Sequence, residues 1–174
     1  WHLYHVPFGG MAFQAHRTAL RQWRSMKKPE AYAHFERKVL PSLRYNMQLG
    51  GTYSGSTFFA LLGRVDSCAD LRPGDRVSLF SYGSGSGGEF YPGVIGPDAR
   101  AACAAVKLQA QLDARRVLTV AEYETLERER QRLIDCGDYA PSLEAPAGHY
   151  AERYAGTGAL VLKGIQKHFR EYGW

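Results

Sequence analysis

Two strand-like stretches joined by glycines and serines constrain the fold of this chain more than any other feature. In the stretch RVSLFSY, residues 76–82, Val77, Leu79 and Ser81 alternate with Ser78, Phe80 and Tyr82, as the two faces of a strand do. A second strand-like stretch is EFYPGVIG, residues 89–96. The linker GSGSGG between them is typical of a hairpin or of a close backbone approach. Because helical segments surround the pair, the sequence predicts an α/β or α+β fold.

The remaining sequence predicts helices, loops and one further strand. Five segments have the apolar spacing of helices, namely 6–26, 30–44 (with Pro41 kinking or ending it), 57–65, 97–111 and 120–134. Residues 49–57, 71–76 and 139–150 are predicted as loops or turns, and 158–165 as a closing strand followed by a polar tail.

The length of 174 residues suits one domain with a sizeable core, or half of a larger one. No run of about 18 apolar residues is present, so the sequence predicts no transmembrane helix, and we expect no membrane partner. The three cysteines, Cys68, Cys103 and Cys136, are far apart, which argues against a disulfide framework and a zinc site and favours a cytoplasmic protein.

Basic residues are concentrated near the start of the chain, although the net charge is only +5. The cluster consists of Arg17, Arg21, Arg24, Lys27 and Lys28. One interpretation of the cluster is a surface that attracts anionic partners. The other interpretation is an ordinary solvated helix face. Nucleic acid is not expected as the partner, because no nucleic-acid recognition motif accompanies the cluster.

The glycine-rich turn leaves several functions open. Gly83, Gly85 and Gly88 have the spacing of a dinucleotide fingerprint, but a strand follows where a helix would be required. The nucleophile elbow Gly-x-Ser-x-Gly is absent around Ser84, because Tyr82 occupies the place of its first glycine.

His5 lies just before a predicted helix start, in YHVPFGGM. A neutral imidazole beside a helix N-terminus can polarise a carbonyl group by hydrogen bonding. A lone histidine is, however, more often a structural or surface residue.

Three motifs in this order, HVPFGGM, YNMQLGGTYSGSTFFALL and GDRVSLFSYGSGSGGEFY, resemble the C-terminal half of hydroxymethylglutaryl-CoA synthase. The resemblance implies a thiolase-like α/β fold, in which two similar halves stack as five αβαβα layers. The whole chain, 1–174, would then be one C-terminal half-domain, and the complete enzyme would be a homodimer.

The resemblance also implies roles for individual residues. His5 would be the catalytic histidine that polarises the ketone of the acceptor, and Ser84, with Tyr82 and Gly83 shaping its turn, would lie near the acceptor. Pro7 and Gly51 complete the substrate-binding set in the matching motifs.

The family reaction is an aldol addition between thioesters carried on phosphopantetheine, with no permanently bound cofactor. Its nucleophilic cysteine and basic glutamate belong to an N-terminal half that this chain does not contain. We therefore expect a segment of a longer enzyme, whether cleaved, separately encoded or given in part.

Two departures from the family pattern bear on the substrates. Gly10 stands where synthases that use free CoA commonly have a lysine, so the sequence looks more like the branch that installs β-branches on acyl carrier proteins in polyketide synthesis. The basic cluster would then dock the acidic carrier protein. Gly51 stands where primary-metabolism enzymes often have an asparagine that contacts the acceptor.

Two alternatives follow from these departures. One is an ordinary CoA-using synthase of isoprenoid precursor formation, against which Gly10 argues. The other is a non-catalytic half-domain that binds carrier proteins, which Gly51 favours and His5 opposes.

Overall fold

The computed structural model describes residues 1–140, 150–151 and 154–173, so most of the predicted loop at 139–150 lies outside the described residues. The chain divides into two compact units, Trp1–Arg115 and Arg116–Trp174. The first contains β1 (His2–Tyr4), α1 (Gly9–Arg24), α2 (Lys28–Lys38), a 3-10 helix (Leu40–Arg44), α3 (Asn46–Leu49), α4 (Gly55–Ser67), β2 (Arg76–Gly83), β3 (Gly87–Val94), α5 (Ala99–Val106) and α6 (Leu108–Asp113). The second contains α7 (Val120–Arg132), β4 (Val161–Gln166) and β5 (Phe169–Gly173).

A three-stranded sheet in the order β1-β2-β3 forms the centre of the first unit. β1 pairs with β2 in parallel, with Tyr4 opposite Phe80, and β2 pairs with β3 antiparallel. The predicted hairpin is confirmed: a 3-10 turn joins β2 to β3, and Gly85 within it has a φ of 76°, which favours glycine.

The alternation in β2 directs its side chains to two different cores. Val77 and Leu79 pack with Val65 of α4, whereas Phe80 packs on the other side with Phe35 of α2 and with residues of α1. Because neighbouring strand residues point to opposite faces, helices must cover both faces of the sheet. This arrangement confirms the α/β class.

The first helix starts later than predicted. The prediction began it at residue 6, but α1 starts at Gly9, because the amide of Val6 donates to the Oγ of Ser56 at 3.0 Å and extends the path of β1 instead. At the other end, Ser25 adopts a φ of 52° and its amide donates to the Arg21 carbonyl, which ends the helix.

The second predicted helix, 30–44, is two helices. α2 starts at Lys28, where the Lys27 amide donates to the Glu30 carboxylate at 2.9 Å, and it ends at Lys38. A 3-10 helix containing Pro41 follows, because proline cannot donate the hydrogen bond that would continue an α-helix.

Two other helix predictions need smaller corrections. The segment 97–111 is divided by Lys107, whose φ of 51° ends α5 before α6 begins. α4 starts at Gly55, two residues before the predicted helix and inside the predicted loop. The helix predicted at 120–134 is confirmed as α7, where the Thr119 hydroxyl accepts from the Glu122 amide.

The second unit contains a hairpin where the sequence predicted a strand and a polar tail. The tail prediction is wrong for Phe169–Gly173, which form β5 antiparallel to β4. Lys167 and His168 connect them with φ values of 49° and 68°, as in a two-residue type I′ turn. Tyr139 bridges Ile165 on the same hairpin.

The three cysteines are free thiols. Within the described ranges, no group of three or more His, Cys, Asp or Glu side chains is arranged to hold a metal ion. No helix in the same residues is long and apolar enough to cross a membrane.

Candidate active site

His5 is held at the carboxyl end of β1. Its amide donates to the carbonyl oxygen of Phe80 at 2.7 Å, one residue beyond the last paired position of the two strands. The backbone of His5 is therefore tied to the sheet where β1 ends, while β2 continues three residues past Phe80, to Gly83.

The His5 ring contacts the first turn of α4. Its Nδ1 lies 3.0 Å from the Oγ of Ser56, and the same oxygen accepts the amide hydrogen of Val6 at 3.0 Å. Ser56 is fully buried and is the second residue of α4. One hydroxyl group thus joins the end of β1 to the start of α4.

A cavity of 350 Å³ lies near this junction; Val6 lines it, whereas His5 and Ser56 do not. Pro7 and Gly51, both predicted as substrate-binding residues, line it together with Leu43 and Asn46. A Cβ built on Gly51 would lie 3.8 Å from the Pro7 carbonyl oxygen, an ordinary contact. The absence of a side chain at Gly51 therefore leaves open space at the cavity wall.

Asn46 anchors the start of α4 from the other side. Its Nδ2 donates to the Ser56 carbonyl at 2.9 Å, and its buried Oδ1 has no hydrogen-bond partner in the described part of the chain. This amide fixes the turn that carries Ser56.

Tyr82, Gly83 and Ser84 lie at the end of β2 and in the turn that follows, and all three are exposed. Since β1 and β2 run parallel, these residues and His5 lie at the same edge of the sheet. No hydrogen bond joins them to His5 in the ranges described. Their contact with a substrate stays a prediction.

The basic cluster lies on α1 and the start of α2, away from these hydrogen bonds. Arg17, Arg21 and Arg24 are spaced as i, i+4 and i+7, which places them on one face of α1. Arg17 is half-buried, the others are exposed, and the cluster continues into Lys27 and Lys28. None of the five forms an ion pair with a residue that the structure describes, so their charges are available to a partner.

A chain of two hydrogen bonds, one buried and one partly buried, starts at the Tyr4 side chain of β1. The Tyr4 hydroxyl is 2.9 Å from Nδ1 of His16, whose Nε2 is 2.8 Å from Nδ1 of His34. Burial, and then the charges of His2 and His34, lower the pKa of His16 to about 4. His16 is therefore neutral in the folded protein at neutral pH, and burial raises the pKa of Tyr4.

Neither the contact of Ser56 with His5 nor the histidine chain was apparent from the sequence. Ser56 was visible as a hydroxyl residue at the start of a helix, where such side chains are favoured. Its link to His5 spans 51 positions, and no local pattern shows a contact of that kind.

The model of the family described as hydroxymethylglutaryl-coenzyme A synthase C terminal matches residues 20–172. The polyketide biosynthesis 3-hydroxy-3-methylglutaryl-ACP synthase PksG of Bacillus subtilis strain 168 is 36% identical over 123 residues, or 71% of this chain and 29% of that protein.

Solved structures give the same result for the fold. The HMG synthase of the curacin biosynthetic pathway, in complex with holo donor-ACP, matches with a TM-score of 0.88 and 35% identity over 100% of this chain and 42% of that one. MvaS in complex with 3-hydroxy-3-methylglutaryl coenzyme A matches with a TM-score of 0.72 and 31% identity, over 99% of this chain and 40% of that one.

These similarities confirm the resemblance seen in the three motifs and the thiolase-like α/β class. The chain spans 29% of the length of the curated relative and 42% of the curacin synthase chain.

Proposed function

The chain belongs to the hydroxymethylglutaryl-CoA synthase family, and from this premise we propose that it is the C-terminal half-domain of an enzyme condensing an acetyl thioester with a β-ketoacyl thioester. The observation that carries the proposal is His5, held at the end of β1 by Phe80 and by Ser56, next in the chain to Val6 and Pro7, which line a cavity together with Gly51.

The companion N-terminal half supplies the first chemical steps. Its cysteine takes the acetyl group from the donor thioester and releases the donor thiol. Its glutamate then removes a proton from the acetyl methyl group, and the enolate attacks the ketone carbon of the acceptor to form the new carbon–carbon bond.

His5 acts on the acceptor ketone. Negative charge develops on the ketone oxygen as the bond forms, and a hydrogen bond from a positioned imidazole stabilises that charge. The alkoxide takes up a proton to become the tertiary alcohol, and water cleaves the thioester to the cysteine, which regenerates the thiol and leaves a carboxylate on the product.

Tyr82, Gly83 and Ser84 border the acceptor in this proposal. Their position at the end of β2 supports it, because parallel strands bring the ends of β1 and β2 to one edge. Gly51 leaves space in the cavity wall that a bulkier acceptor chain can occupy.

The substrates are proposed to be carried on acyl carrier proteins. Two relatives support this choice, since one is a polyketide HMG-ACP synthase and the other was solved in complex with a donor-ACP. Arg17, Arg21 and Arg24 on one face of α1 would attract the acidic surface of a carrier protein, with Lys27 and Lys28 extending the contact. The complete enzyme is proposed to be a homodimer, which light scattering would test.

Mass spectrometry tests the reaction directly. The complete enzyme is incubated with acetyl-carrier protein and acetoacetyl-carrier protein, and in parallel with the two CoA thioesters. We expect the acceptor carrier to gain the mass of one acetic acid, at a higher rate than the CoA acceptor. Product from the CoA thioesters alone would contradict the carrier assignment, and carrier binding without any product would indicate a non-catalytic domain.

A further inference from the structure

We propose that Ser56 is a positioning residue that holds His5 in the Nε2–H tautomer. This inference rests on the proposed function, because it explains how His5 always presents a proton donor to the acceptor ketone. The two nitrogens of the ring have different surroundings. Nδ1 is 3.0 Å from the Ser56 Oγ, whereas Nε2 has no hydrogen-bond partner among the residues described.

Counting donors and acceptors decides the direction of the hydrogen bond. A serine hydroxyl has one hydrogen to donate and two lone pairs. The amide of Val6 can only donate, so it uses one lone pair of the Ser56 Oγ. The His5 contact then uses either the hydroxyl hydrogen or the second lone pair.

The two choices differ in what they leave unpaired. If the Ser56 hydroxyl donates to Nδ1 of His5, every group at the contact is satisfied. If His5 donates instead, the hydroxyl hydrogen of this fully buried serine has no acceptor in the described ranges. A buried unpaired donor costs about 1–3 kcal/mol, so the first arrangement is favoured.

The hydroxyl is held firmly enough to impose this choice. Ser56 follows Gly55 at the start of α4, and its own carbonyl accepts the Asn46 side-chain amide at 2.9 Å. Its Oγ contacts both the ring of His5 and the backbone of the next residue, Val6. The serine, the ring and the strand end therefore keep a fixed geometry.

The tautomer determines what the ring can do. With Nδ1 accepting from Ser56, the hydrogen of the neutral imidazole is on Nε2, the nitrogen left free for the substrate. That N–H can donate to a developing alkoxide. The opposite tautomer would present a lone pair to the same negative oxygen and repel it.

Nitrogen NMR of the complete enzyme, labelled with ¹⁵N-histidine, tests the assignment without requiring turnover. The His5 signals are identified by their loss in His5→Gln, at a pH above the ordinary range of histidine titration. We expect a pyridine-type shift for Nδ1 and a pyrrole-type shift for Nε2. The reverse pattern, or an even mixture, would overturn the proposal whether or not the enzyme is active.

Variants of the serine test its role. Ser56→Ala should give a mixture of His5 tautomers and lower kcat by about 10-fold or more, because a ring in the wrong tautomer cannot donate to the ketone oxygen, with little change in KM for the acceptor. Ser56→Thr, which keeps the hydroxyl, should restore the wild-type His5 spectrum. Ser42→Ala is the matched control, because Ser42 is also fully buried but its hydroxyl donates to the Val39 carbonyl.

The outcomes separate this proposal from the proposed function. An unchanged His5 tautomer in Ser56→Ala would overturn the positioning role. The expected spectra in an enzyme that forms no condensation product would support the positioning role and contradict the function instead. If the serine variants fail to fold, the wild-type spectrum alone decides the tautomer.

Discussion

Gly63 of α4 packs directly against the backbone carbonyl of Ser42, so closely that a Cβ at this position would overlap the carbonyl oxygen. The contact brings α4 against the 3-10 helix that follows α2. Because Ser56 lies on the same helix, the depth at which α4 packs also determines where the hydroxyl meets His5.

Gly63→Ala should therefore destabilise the protein. The added methyl group meets backbone that cannot rotate away, and overpacking of this kind costs about 1–3 kcal/mol. The free energy of unfolding, measured in urea, should fall by that amount. Gly83→Ala is the control, because nothing lies within 4 Å of a Cβ built there. Equal stability of the two variants would contradict the close approach.

Acid should destabilise the fold through His16. Its pKa is about 4 in the folded protein, against an ordinary histidine value of 6.5, so the unfolded chain takes up a proton first as the pH falls. The contribution of neutral His16 to the free energy of unfolding should be fully present above pH 6.5 and should be lost as the pH falls toward 4. Urea unfolding at both values measures this difference.

His16→Gln removes the titrating group and keeps hydrogen-bonding capacity toward Tyr4 and His34. Its stability should depend less steeply on pH in the same window. His2 has a similarly lowered pKa, so part of the slope should remain. A slope identical to that of the wild type would show that His16 does not contribute.

Charge reversal on α1 should weaken the binding of the carrier protein. Arg17→Glu with Arg21→Glu replaces attraction by repulsion, and we expect the dissociation constant to rise by about 10-fold or more at low salt. Surface plasmon resonance with the immobilised carrier measures the change. Arg72→Glu with Arg76→Glu, two exposed positions outside the cluster, should have little effect. Equal losses in both pairs would indicate non-specific attraction only.

A lysine at Gly10 should shift the preference toward free CoA. The position is the second residue of α1, and a Cβ there would make only an ordinary contact of 3.6 Å with the Phe8 ring. Gly10→Lys should raise kcat/KM for acetyl-CoA relative to acetyl-carrier protein by several-fold. The control is Gln22→Lys, which adds the same charge at an exposed position near the other end of α1 and outside the cavity, and an equal shift there would contradict a specific phosphate contact.

The sequence predicted the elements whose side-chain pattern is visible within a few neighbouring residues. The two sets of side chains in β2, represented by Val77 and Phe80, were visible because a strand alternates every residue. The hairpin followed from its glycines. The motifs also pointed to His5, whose catalytic role stays a prediction, and to the segment that contains Ser56.

The errors concern interactions between distant residues or turns with unusual chemistry. Val6 was assigned to a helix because its partner, Ser56, is 50 positions away. The turn at Lys167 and His168 has the geometry of an asparagine-glycine turn without those residues, so β5 was taken as a tail. Hydrogen bonds between residues far apart in the chain, such as those of Ser56 with Val6 and His5, depend on how the helices and strands pack.

The central claim is that His5 acts on the acceptor ketone after the acetyl group has been loaded. Intact-protein mass spectrometry of the complete His5→Ala enzyme tests it, with His168→Asn as a control at an exposed histidine whose left-handed conformation asparagine tolerates. We predict that both variants acquire the acetyl group from acetyl-carrier protein, and that only His168→Asn goes on to form the condensation product. Condensation at the wild-type rate by the His5→Ala enzyme would contradict the account.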